Sequence, residues 1–69
     1  VFEWRRLRVR RVVVNLKTDK AFRGALVVRR GTLLFLRDAV LLEPRHDPVK
    51  VDGVVVIDRA NVDFLQVLP

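Results

Sequence analysis

At 69 residues the chain makes a single domain, and a domain that small buries only roughly 60% of the surface its unfolded form exposes. It contains no cysteine, which excludes disulfides and thiolate metal sites and leaves oligomerisation as the way to gain stability. The net charge of +6 comes from eleven arginines and three lysines against eight acids, and favours polyanions: nucleic acid first, an acidic protein or membrane surface second.

Residues 1–10 mix Phe2, Trp4, Leu7 and Val9 with Arg5, Arg6, Arg8 and Arg10. Val1, Trp4 and Leu7 fall three apart, so a short amphipathic helix is expected over about residues 2–7, an Arg-rich arm with Trp4 packed on the sheet. Residues 11–17 and 21–29 read as two antiparallel strands joined by a polar turn at Thr18-Asp19-Lys20. Gly24 lies inside the second strand, where glycine marks a sharp bend or a close backbone approach. Arg29-Arg30-Gly31 reads as a tight turn, and residues 32–42 as a long apolar strand broken at Arg37-Asp38. Residues 43–48 contain two prolines and alternating charges and form a loop. A fourth strand is expected over residues 49–57 with a bend at Asp52-Gly53, then a turn at residues 58–61 and a fifth strand at 62–68.

The last two strands lack the clean alternation of a sheet with one wet face. Val54-Val55-Val56-Ile57 is apolar on both faces; Val62, Phe64 and Leu68 are expected on one face of the fifth strand, with Leu65 and Val67 on the other. Covering both faces, and closing exposed apolar edges, calls for a second copy of the chain. Val54, Val56, Phe64, Leu65 and Val67 are the expected interface, and a head-to-tail contact of this kind closes into a homo-oligomeric ring when the rotation allows.

These segments resemble the Sm-like proteins (Sm, LSm and Hfq). The first Sm motif is similar to Val12-Val13-Val14-Asn15-Leu16-Lys17, Phe22-Arg23-Gly24-Ala25-Leu26 and Leu34-Phe35-Leu36-Arg37-Asp38-Ala39, within residues 11–42. The second is similar to Asp52-Gly53-Val54-Val55-Val56-Ile57 and the strand from Val62, within residues 49–69. The resemblance implies an all-β fold: a short N-terminal helix on a strongly bent five-stranded antiparallel sheet, an SH3-like small barrel. It also implies rings, made by pairing the fourth strand with a neighbour's fifth, that bind single-stranded RNA around the pore. Short Arg-rich chains of this kind also resemble Sm-like products of actinobacterial phages, which keeps a phage origin open.

The binding loops depart from the family pattern. The first has Arg29-Arg30-Gly31-Thr32-Leu33, with Leu33 where an asparagine is usual. The second has Asp58-Arg59-Ala60-Asn61, with aspartate in the place of arginine. Neither loop offers an aromatic for base stacking, an interaction worth roughly 1–3 kcal/mol per base. The standard uridine pocket therefore does not carry over. If the family geometry holds, Arg29, Arg30, Arg59 and Asn61 repeat around the pore and hold a phosphate backbone without reading bases.

Catalysis is not expected. Serine, cysteine and tyrosine are absent, which leaves threonines and lysines as nucleophiles. His46 beside Asp47 falls short of the three or four ligands a metal needs. No cofactor and no small-molecule substrate are implied. No apolar run approaches the ~20 residues of a membrane span and no signal-peptide pattern is present, so the expected setting is cytoplasmic, or virion-associated for a phage product. The chain begins at Val1 and has no methionine, which suggests a trimmed or non-ATG start. Two functions are then expected: a ring that binds single-stranded RNA or another polyanion through arginines, and a structural or assembly subunit with no nucleic-acid role.

Overall fold

The computed structural model describes residues 10–69. The expected helix over residues 2–7 and the placement of Trp4 lie outside those residues. Six strands succeed one another: β1 (Arg10–Leu16), β2 (Ala21–Arg30), β3 (Leu33–Leu42), β4 (Val49–Lys50), β5 (Val54–Asp58) and β6 (Val62–Val67), with a 3-10 turn at Arg59–Asn61. They form one antiparallel sheet in the order β4-β3-β2-β1-β6, and β5 also pairs with β3.

Alternation in β1 sets the inner face. Val12 and Val14 are fully buried while Arg11 is exposed and Val13 faces the other way. Leu26, Leu34, Leu36, Ala39 and Ile57 complete the core, and Leu16, Phe22, Val51, Val55, Val62 and Leu65 pack around it.

The long strand expected over residues 32–42 is continuous rather than broken. Arg37-Asp38 does not interrupt it, because the irregularity is absorbed as a bulge. Arg23 pairs with Val40 and Ala25 with Arg37, so Asp38 and Ala39 together oppose Gly24. Asp38 takes a left-handed φ of 52° to make the bulge. The backbones come close here: a Cβ on Gly24 would lie 2.9 Å from the Arg37 carbonyl oxygen and 3.1 Å from Ala39 Cα. A second shift leaves Val27 unpaired between Leu26 and Val28. The two bulges bend the sheet around its core.

The expected fourth strand is two strands. β4 pairs with Val40 and Leu41, and β5 with residues 33–37, one after the other along the same edge of β3. Between them the Val51 N–H donates to the Ala39 carbonyl at 2.8 Å, and Gly53 turns the chain at φ 80°. β3 passes through its bend without a break, while the strand beside it is interrupted at residues 51–53. The described sheet thus has six strands, not five.

The faces of β6 also need one correction. Leu16 pairs with Val62 but Asn15 pairs with Phe64, so Asp63 is an extra residue in the strand. That bulge turns Val62 to the core beside Leu65, rather than to the side of Phe64. Phe64 and Gln66 face outward with Asn15, whose Nδ2 donates to Gln66 Oε1 at 3.3 Å.

Candidate nucleic-acid interface

The β2–β3 hairpin runs past the end of the core before it turns. Arg29 and Arg30 remain in β2, and the turn itself is Gly31-Thr32, with Gly31 at φ 58°. Cross-strand pairing decides where each arginine goes. Arg29 stands opposite Leu34, which stands opposite Ile57, so Arg29 lies on the core side of the sheet. Arg30 stands opposite Leu33, which faces Asp58, on the outer side. The expected pair is therefore split between the two faces.

The turn at residues 59–61 is fastened at three points. The Arg59 N–H donates to the Thr32 carbonyl at 2.7 Å, which ties the turn to the β2–β3 hairpin. The Asp58 carboxylate accepts from the Ala60 N–H at 2.9 Å and caps the turn. The Asn61 carbonyl accepts from the Lys17 N–H at 2.9 Å, at the end of β1. Among the described residues no ion pair joins Asp58 to Arg59.

Arg59 and Arg29 line the same concavity, of about 200 Å³, whose other walls are Leu34, Val62 and Leu65. Two of the four expected RNA-contacting side chains meet there. Arg30 and Asn61 are exposed and do not line it. The apolar floor was missed in the sequence, because the face of Arg29 is set only by its pairing with Leu34 beyond the bulge at Val27. Two guanidinium groups over an apolar floor can hold an anionic group in bidentate fashion and cover an apolar part of the same ligand.

The residues expected at the subunit interface lie at both free edges. Among the described residues β5 bonds only to β3, and β6 only to β1. Val54 and Val56 on β5 are 54% and 50% exposed, and Phe64 and Val67 on β6 are 52% and 53% exposed, values high enough to mark bare apolar edges. Leu65, also on β6, is half-buried and packs on the core.

His46 is exposed, with Nδ1 2.9 Å from the Pro44 carbonyl oxygen. Among the described residues no group of three or more histidines or acids is placed to hold a metal ion, and no helix is long and apolar enough to cross a membrane.

No protein-family model matches the sequence, and no curated protein matches it. In structure the chain is similar to a chain in the crystal structure of the NatC complex bound to CoA. The TM-score is 0.83 at 18% sequence identity, over 96% of this chain and 84% of that chain. A likeness at that identity establishes the fold, a small antiparallel all-β sheet.

Proposed function

We propose that this chain is an Sm-like ring subunit that holds single-stranded RNA or another polyanion at the ring mouth through arginines, without a uridine pocket. The observation that carries the reading is the meeting of Arg29, from the end of β2, and Arg59, from the 3-10 turn, at one concavity walled also by Val62 and Leu65 of β6. The hydrogen bond from Arg59 to Thr32 makes that meeting a property of the backbone, so each subunit presents the same charged pair. Heterologous pairing of β5 with a neighbour's β6 covers Val54, Val56, Phe64 and Val67 and repeats the pair around the axis. Phosphate contacts of this kind position a strand without reading its sequence.

Fluorescence anisotropy of a labelled oligouridylate, titrated over salt, tests the site. Wild type is expected to bind with a steep salt dependence. Arg29→Ala/Arg59→Ala is expected to bind more weakly, with the slope of log K against log salt reduced by about 0.7 for every phosphate no longer held. Arg30→Ala, on the other face, is expected to change the slope less. Equal slopes for wild type and the double variant would show that the concavity does not hold the strand.

A second reading is a structural subunit of a protein assembly with no nucleic-acid role. It is favoured by the structural likeness to a chain from the NatC complex. Ring formation with no oligouridylate binding at low salt is the result it expects.

A further inference from the structure

The cross-strand register gathers a second set of charges on the outer face of the sheet, opposite the face of Arg29. Arg11 on β1 and Arg37 on β3 both stand opposite Ala25 on β2, one on either side. Arg23 is on the same face, next in the alternation along β2, and opposite Val13. Three arginines are therefore register neighbours of one small residue. All three residues are exposed, and among the described residues none is engaged in an ion pair. The next row outward is apolar: Val28 on β2 stands opposite Phe35 on β3, which stands opposite Val56 on β5. Val28 is 48% exposed and Phe35 half-buried, which leaves an apolar stripe beside the cations. Asp58 is the one acid at a paired outward position in this sheet, and its carboxylate already caps the 3-10 turn.

We infer that this outer face docks an acidic, amphipathic protein segment, with carboxylates over Arg11, Arg23 and Arg37 and apolar side chains on Val28 and Phe35. Charge complementarity selects the partner. A cationic cluster that is exposed and without an ion pair among the described residues attracts acids, and the apolar row beside it gives a second requirement that a phosphate backbone does not meet. Residues 1–9 carry Arg5, Arg6 and Arg8 against Glu3 alone, so their composition does not supply the acids this face selects. Edge pairing in a ring engages β5 and β6 and leaves the β1–β2–β3 face open. Neither Arg29 nor Arg59 takes part, so docking here is independent of the ring mouth.

The probe is a synthetic helical peptide of about 15 residues, long enough at 1.5 Å per residue to cross the face. It carries glutamates on one side and leucines on the other, and is titrated into the full chain by anisotropy. Binding is expected to weaken at least about tenfold in Arg11→Glu/Arg37→Glu, and also in Val28→Ser, with circular dichroism and native mass unchanged. A control peptide with alanine for leucine is expected to bind at least about tenfold more weakly than the leucine peptide. Three results would each overturn the inference. One is no binding of the leucine peptide at low salt, as when the face is covered. Another is equal binding by wild type and both variants. The third is a charge reversal that abolishes oligouridylate binding while the peptide does not bind.

Discussion

At Gly24 the strands approach so closely that a hydrogen fits where a methyl group does not. The atoms in the way are backbone, the Arg37 carbonyl oxygen and Ala39 Cα, and neither can swing aside as a side-chain end would. Gly24→Ala is therefore expected to destabilise the fold by about 1–3 kcal/mol, read by urea unfolding at fixed protein concentration. An unchanged midpoint would mean that the bend is softer than the register implies. Asp38 makes the partner half of the bulge at φ 52°, a region open to aspartate and asparagine but hostile to β-branched residues. Asp38→Val is expected to lose about 1–2 kcal/mol, while Asp38→Asn stays close to wild type in the same assay. Asp58 acts locally too. Its carboxylate holds the Ala60 N–H, so Asp58→Ala is expected to lose about 0.5–1 kcal/mol and to weaken RNA binding by loosening Arg59. If RNA binding instead strengthens, removal of a negative charge outweighs loss of the cap.

Among the elements, β3 is the spine: it borders β2 along one edge and both β4 and β5 along the other. Most of this was legible from local chemistry. Val12 and Val14 alternate with outward residues, Gly24 marks the bend, and the two prolines at 44 and 48 end the ladder. What could not be read was the consequence of bending. A curved sheet needs bulges, and a bulge exchanges the faces of everything beyond it. Nothing in the string Val62-Asp63-Phe64 says that Asp63 is the extra residue; only its pairing with β1 decides that Val62 joins the core. For the same reason Arg29 and Arg30 look equivalent in sequence but lie on opposite faces, and one of them meets Arg59. The free edges lead to a prediction at this scale. Val56→Asp puts a charge on the half-exposed row of β5 at the proposed seam, where burial without a partner is unfavourable. The variant is expected to remain folded by circular dichroism and to lose the higher mass expected of wild type. An assembly of undiminished mass would take β5 out of the interface.

For the whole molecule, size and charge pull in different directions. A 69-residue chain has a small core and two apolar free edges, which favour association. Its charge of +6 is multiplied by the number of copies, so association also gathers repulsion. In the proposed ring, a polyanion resolves that conflict by sitting where the copies converge, at the proposed mouth lined by Arg29 and Arg59. Strand and ring should then stabilise one another, and a polyanion should raise the fraction assembled at low protein concentration by mass action. Native mass spectrometry at micromolar concentration, with and without an oligouridylate, tests this directly. The expected result is one closed species at a fixed multiple of the 8.0 kDa chain, which takes up a single RNA strand and persists to lower protein concentration when RNA is present. A monomer at every concentration, or an open ladder of ever-larger species indifferent to RNA, would contradict it.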